Sequence, residues 1–183
     1  MIEKKLLTLA GVLGILACGA CFLPPLPQKK ATLPPALASV HRIAIHVEDG
    51  TGGKLFDPVI MSNATADNFN QLWQEFPVQA AAFNDGGPSD AALRISVLRK
   101  TASCKPEDNG KQFCSFEIIA SFTLTAADGR ILQSSQQKSS KFGLWYKGNS
   151  LPDNLNSNPF RQKAAYALAM TAGEMFLISD RSN

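Results

Sequence analysis

The sequence predicts an α+β fold, a two-layer sandwich with two helices packed on one face of a mostly antiparallel four-stranded sheet. Four segments alternate apolar and polar residues, which is typical of half-buried strands. Two other segments begin with helix-start signals and carry apolar residues at helical spacing. Their order along the chain is one strand, one helix, three consecutive strands and a final helix.

The first strand and the first helix are predicted from adjacent segments. SVHRIAIHV, residues 39–47, alternates well and places Ile43, Ile45 and Val47 on one side. Asp57-Pro58 then supplies an N-cap and a proline at the first helical position, so we expect a helix from there to about Glu75. The apolar stripe of that helix comprises Ile60, Ala64, Phe69, Leu72, Trp73 and Phe76.

Three further strands and a second helix follow. The strands are predicted in ALRISVLRKTASC, CSFEIIASFTLTA and RILQSSQQKSSKF, residues 92–104, 114–126 and 130–142. Asp128-Gly129 is a hairpin signal between the last two, and the polar last strand is expected at a sheet edge. Asn158-Pro159 starts the second helix in the same way as the first. Its apolar residues are Phe160, Ala164, Ala167, Leu168, Thr171, Met175 and Ile178.

The N-terminus predicts a lipoprotein signal peptide over residues 1–17. Two lysines precede an uncharged apolar stretch, and small residues follow it, as in a secretory signal. The letters ILAC, residues 15–18, resemble the bacterial lipobox, in which the cysteine is acylated; Cys18 is therefore the candidate lipid attachment site, with Cys21 as a second candidate. The alternatives are an uncleaved membrane anchor over Leu6 to Leu23 and an ordinary cleaved signal.

Residues 18–39 are predicted to be a Pro-rich tether that joins the anchor to one α+β domain over residues 40–183. The segment CGACFLPPLPQKKATLPPALAS holds five prolines and little periodicity, which favours a stiff extended linker. The alternative is that part of it packs along the domain, for which Leu33 and Leu37 are suitable. The remaining length is sufficient for one domain.

Cys104 and Cys114 are predicted to form a disulfide. They lie at the end of one predicted strand and the start of the next, around turn-forming residues that include Asn109-Gly110. An even pair of cysteines at facing positions is typical of exported proteins. The alternative is two free buried thiols. A metal site is not expected, because two ligands are too few for zinc and no histidine is near them in the sequence.

Several kinds of chemistry are disfavoured by the sequence. The formal net charge of +3 and the absence of a basic run with interleaved aromatics argue against nucleic acid. EDGTGGK, residues 48–54, fails the phosphate-loop pattern at both ends. The two histidines, His41 and His46, are five residues apart in a strand and so face opposite sides. We therefore expect no metal, no cofactor and no enzymatic activity.

The carboxylates give no sign of a paired acid and base. Asp85 and Asp90 bracket a Gly-Pro loop, Glu107 and Asp108 occupy the predicted hairpin tip, and Asp153 lies in a loop. Each is interpreted as a solvated turn residue, since no pair is marked as opposed across a cleft.

FGLWYKG, residues 142–148, contains the candidate partner-binding residues. Phe142, Trp145 and Tyr146 stand beside Lys147, and aromatics next to lysines can form a surface for a protein partner or an anionic amphiphile. The alternative is that these aromatics cap the core at the end of the last strand.

The chain resembles the small envelope lipoproteins of Gram-negative bacteria. The resemblance rests on the lipobox cysteine, the Pro-rich tether, VHRIAIHV, DAALRISVLRK, SFEIIASFTLTAADGRIL and the last helix PFRQKAAYALAMTAGEMFLI. In element order it is most similar to the lipopolysaccharide-assembly lipoprotein family, whose members plug an outer-membrane β-barrel translocon. That resemblance implies two helices on a four-stranded sheet, no catalysis, and an acyl chain on Cys18.

The resemblance also implies where the protein acts and with what. We expect a lipid-anchored protein of the outer membrane that faces the periplasm and binds an envelope protein, such as a β-barrel, or a lipid such as lipopolysaccharide. Accessory lipoproteins of lipid-transporting ABC systems and lipoproteins that activate cell-wall synthases have a similar element order. A periplasmic hydrolase with an unrecognised site is the alternative from a different class.

Overall fold

Two helices and five strands make up the described part of the chain. The computed structural model describes residues 33–82, 85–106, 111–147 and 155–177. The signal peptide, Cys18 and most of the predicted tether therefore lie outside the described residues. After a short 3-10 helix the elements are β1 (Arg42–Asp49), α1 (Pro58–Leu72), β2 (Gln79–Ala82), β3 (Ala91–Pro106), β4 (Gln112–Ala126), β5 (Ile131–Tyr146) and α2 (Asn158–Leu177).

The strands form one mixed sheet in the order β2-β1-β3-β4-β5. β1 runs parallel to both β2 and β3, whereas β3, β4 and β5 are antiparallel neighbours. The α+β class and the two helices agree with the sequence prediction, but the four-stranded, mostly antiparallel sheet was wrong in detail. The additional strand, β2, has only four residues, a glutamine and three alanines, which carry no alternation of apolar and polar side chains. Since β1 and β2 are parallel, α1 serves as the crossover between them.

The helices cover one face of the sheet, which we call the inner face. α1 packs on β1, β2 and α2, while α2 packs on β5. Alternate residues of the central strands are buried beneath them. The fully buried side chains on these strands include Ile43, Ile45, Val47, Leu93, Ile95, Val97, Ile118, Phe122 and Leu124. The opposite, outer face carries the intermediate and exposed positions of the same strands.

Local signals explain how α1 begins and how it meets α2. The Asp57 side chain accepts a hydrogen bond from the Ile60 amide at 3.0 Å, as the predicted N-cap requires. At the other end the Trp73 indole donates to the Ala169 carbonyl at 3.2 Å. A Cβ atom at Gly173 would come within about 2.0 Å of the Trp73 ring, so the glycine makes room for this contact.

Part of the predicted tether packs on the domain. Leu37, in the 3-10 helix Pro35–Leu37, is 1% exposed, and Val40 is equally buried. Leu33 packs against the same core. This end of the segment therefore follows the alternative interpretation, because its apolar side chains gain more from burial than from extension into water.

Candidate interaction surface

The three long strands extend beyond the rest of the sheet. β1 ends beside Val97, where Asp49 is its last paired residue, but β3 continues to Pro106. The strands β4 and β5 also extend past the end of β1. We call the resulting three-stranded extension the arm; it consists of residues 98–106, 112–119 and 138–146. The chain enters β1 beside Ala91, at the opposite end of β3. The arm therefore points away from the end at which the N-terminal segment joins the sheet.

A disulfide crosses the arm near its tip. Cys104 and Cys114 are directly paired residues of β3 and β4, their Cα atoms are 4.1 Å apart, and the structure links them by the predicted disulfide. Cys114 is fully buried on the inner face, and Cys104 packs against the same cluster. The bond therefore holds two antiparallel strands together where β1 and α1 no longer support them.

The four candidate binding residues do not form one surface. Phe142 stacks on Phe116 with ring centroids 4.9 Å apart, and Tyr146 meets the edge of Phe160 at 5.6 Å. Both are partly buried against the core, as in the alternative interpretation. Strand alternation sends Trp145 to the other side of the sheet, and Lys147 is exposed just after β5.

Trp145 forms an exposed aromatic pair on the outer face of the arm. Its side chain is 59% exposed, and its ring lies 5.2 Å from that of Phe113, the directly opposed residue of β4. A Cβ atom at Gly143 would come within 2.5 Å of the Phe113 ring, so this glycine allows Phe113 to lie over the strand backbone. The sequence analysis missed Phe113, because the predicted strands, residues 114–126 and 130–142, include neither Phe113 nor Trp145; their pairing appears only in the structure.

The outer face of the arm also has an ordered charge pair. Ser139 donates a hydrogen bond to the Glu117 carboxylate at 2.5 Å, and the Lys141 ammonium lies 3.7 Å from the same oxygen. The Ser139 hydrogen bond and the Lys141 charge lower the pKa of Glu117 below its usual value. The Glu117 carboxylate is thus ionised near neutral pH, and the charged residues that act on it, Lys141 and Arg99, are basic.

Other carboxylates support the backbone. Asp90 accepts hydrogen bonds from the amides of His41 and Arg42 at 2.8 and 2.9 Å, and these two bonds lower its pKa. Burial alone raises the pKa of Asp49, but hydrogen bonds from Thr51 and Leu55 outweigh it and lower the pKa. The loop 50–54 is therefore closed around Asp49, which explains its glycine-rich sequence without a phosphate ligand.

An ion pair lies on the outer face of the body, the part of the domain outside the arm. Arg94 donates two hydrogen bonds to the Glu48 carboxylate, at 2.6 and 2.7 Å. These hydrogen bonds lower the pKa of Glu48 and raise that of Arg94. Both groups are charged and mutually paired, so they are suited to bracing β1 against β3 rather than to proton transfer.

The described residues hold neither a metal-binding group of histidines, cysteines and carboxylates nor a helix long and apolar enough to span a membrane. His41 is exposed at the start of β1, and His46 is half-buried. Asp85 is exposed in its loop, whereas Glu107, Asp108 and Asp153 lie outside the described residues.

A small polar cavity lies between β5 and α2. Its volume is about 200 Å³, and it is lined by Gln133, Ser134, Ser135, Lys138, Thr171, Glu174 and Met175. Gln133 donates to the Met175 carbonyl at 2.7 Å, while its side-chain oxygen is buried without a protein partner. An internal water would satisfy such an acceptor.

Comparison with known proteins finds distant similarity in structure alone. No protein-family model matches the chain, and no curated protein matches it. The PelC dodecamer from Paraburkholderia phytofirmans is 14% identical with a TM-score of 0.42, covering 79% of this chain and 96% of that chain. A minor lipoprotein from Acinetobacter baumannii is 9% identical with a TM-score of 0.37, covering 74% and 91%.

The rare lipoprotein B from Shewanella oneidensis is also similar, at 9% identity and a TM-score of 0.30, with 73% of this chain and 95% of that chain covered. These identities and TM-scores are too low to assign the chain to a family. The candidate surface is therefore interpreted from its own residues.

Proposed function

We propose that this chain is a lipid-anchored protein of the outer membrane that acts as a non-catalytic binding or assembly subunit, with the arm as its partner-binding surface. The observation that carries the proposal is the exposed Trp145–Phe113 pair on the outer face. A large aromatic residue that remains exposed on a rigid strand is typical of an interface anchor, because it buries much area at little entropic cost.

Two independent features support the proposed compartment. The N-terminal sequence resembles a lipoprotein signal with Cys18 as the acylated residue. The Cys104–Cys114 disulfide belongs to an oxidising environment. Both favour the cell envelope, where an acylated protein is held at a membrane and its domain reaches a partner beyond it.

The arm is well placed for that task. Its inner face is stabilised by the disulfide and by the Phe116–Phe142 stack, so Trp145 is presented on a preorganised surface. The arm also points away from the end of the sheet where the anchored segment enters. The specific role that we propose is lipopolysaccharide transport, with an outer-membrane β-barrel as the partner.

The test is a gentle detergent pull-down of the full-length protein from native membranes, with co-purifying proteins identified by mass spectrometry. Trp145→Ala should abolish stoichiometric capture of a β-barrel protein, whereas Tyr166→Ala, an exposed aromatic on α2, should leave it intact. Capture of a lipid-transporting ABC complex or a cell-wall synthase would replace the lipopolysaccharide role with one of those classes. Equal capture by both variants would refute the arm as the binding surface.

The anchor has its own test. Cys18→Ser should leave an unprocessed precursor without acyl chains, because the modified thiol is absent. Metabolic labelling with a fatty acid and intact-mass measurement would detect the change, with Cys21→Ser as the matched control. Normal acylation of the Cys18 variant would exclude this residue as the attachment site.

A further inference from the structure

The basic and acidic residues of the domain are segregated. Residues 98–119 and 138–147, which contain the arm, hold seven basic and three acidic residues, a formal charge of +4. The remainder of residues 33–183 holds seven basic and eleven acidic residues, a formal charge of −4. The domain is thus close to neutral, but its two parts carry opposite charge, and each is electrostatically complementary to the other part of a second molecule.

The exposed side of α1 is the acidic counterpart. Residues 57–76 contain three carboxylates and no lysine or arginine. Asp67 is exposed on the side of α1 that faces away from the sheet, and Glu75 is exposed in the turn that follows the helix. The same helix begins with two exposed apolar residues, Val59 and Ile60, which are 47% and 45% exposed.

The arm has the matching features. Trp145 is 59% and Leu98 42% exposed, and both lie among basic residues. Lys105, which is paired with Phe113, and Lys147, two residues after Trp145, are exposed near the tryptophan. Each surface therefore combines apolar side chains that can be buried with charges of one sign that can be paired at the rim.

We propose that the arm of one molecule binds the exposed side of α1 of a second copy of this chain. The proposal rests on the arm being the partner-binding surface, and it adds self-association to the contacts that this surface makes. Within one molecule the two surfaces are separated, since α1 packs on β1 and β2 whereas β5 is at the opposite edge of the sheet. A contact between two different patches leaves one of each free, so it assembles a ring or a filament unless two molecules pair reciprocally.

The charges determine how this contact responds to salt. Charge pairs at the rim of the contact steer the two molecules together and disfavour wrong orientations. Burial of Trp145 and Ile60 supplies the apolar contribution to the binding free energy. Because the Debye length falls from about 10 Å at 0.1 M salt to about 3 Å at 1 M, self-association should weaken as salt is added.

The experiment uses the full-length protein in detergent and measures its mass by native mass spectrometry and sedimentation. The arm variant carries Lys105→Glu and Lys147→Glu, and the helix variant carries Asp67→Lys and Glu75→Lys. Each variant alone should associate at least about tenfold more weakly than the unmodified protein, since like charges then face each other. Lys163→Glu, at an exposed position of α2, is the matched control and should change nothing.

Mixing the two variants provides the decisive readout. The reversed arm and the reversed helix are again complementary, so the mixture should form assemblies that contain both chains. Circular dichroism of each variant confirms that it is folded. A monomeric unmodified protein, or a mixture that does not assemble, would overturn the second-copy proposal. In that case Trp145-dependent capture of another protein would still support the proposed function, so the two failures are distinguishable.

Discussion

The body and the arm are stabilised in different ways. In the body, two helices cover the inner face, and residues such as Phe69 and Phe176 are completely buried between the layers. In the arm, three strands continue without β1, and a disulfide and an aromatic cluster around Phe116 hold them together. The comparison shows that a covalent bond and ring contacts support the sheet where helix cover decreases. The outer face of the arm, where Trp145 is exposed, is the surface that we propose binds a partner.

The largest loss of stability is expected when a buried side chain of the body is shortened. Phe69→Ala removes a fully buried ring that contacts Phe176 edge-on at 6.1 Å, and it should lower the free energy of unfolding by about 3–5 kcal/mol. Urea denaturation followed by circular dichroism measures the loss. A change below 1 kcal/mol would mean that the two layers do not depend on this contact. Tyr166→Ala, at an exposed site, is the control.

A smaller and local effect is expected from the arm. Replacing Cys104 and Cys114 together with alanine should cost about 3 kcal/mol in the chain-entropy estimate for a loop of this size. Hydrogen exchange should rise in residues 98–119 before it rises in β1 or α1, because the body keeps its own core. Equal loss of protection in both regions would contradict the distinction between body and arm.

The smallest loss of stability is expected at the edge of the body where β1 begins. Asp90→Asn weakens two charge-assisted hydrogen bonds to the amides of His41 and Arg42. The folded-state pKa of Asp90 is below its unfolded value, so its stabilisation is present above about pH 4 and is lost as the pH falls through the folded pKa. The stability difference between the two proteins should therefore shrink as the pH falls below about 4. A difference that persists undiminished at pH 2 would exclude this mechanism.

Local sequence patterns were sufficient for most elements. Alternation located β1, β3, β4 and β5, the Asp-Pro and Asn-Pro pairs located the helix starts, and the cysteine spacing located the disulfide. These features depend on residues that are close in sequence. β2 was missed because a glutamine followed by three alanines contains no periodic signal, and its strand structure depends on the edge that β1 provides.

In the candidate site, one short segment also combines a feature that the local sequence predicts with one that only the tertiary structure decides. The letters FGLWY identified an aromatic cluster, but alternation about Gly143 and Leu144 separates Phe142 and Tyr146 from Trp145. Whether an aromatic side chain is buried or exposed depends on which face the helices cover, and that is a property of the assembled layers. Phe113 joins Trp145 through strand pairing across 32 residues of sequence.

Composition and short-range pattern thus predict a disulfide-linked α+β domain with a candidate acylated cysteine, because each of these features is encoded by neighbouring residues. Strand order, the parallel pairing of β1 and the grouping of basic residues from β3, β4 and β5 in one arm arise from contacts between distant segments. Such contacts form only when hydrophobic burial brings the layers together, and the net charge of the whole chain conceals the two opposite parts.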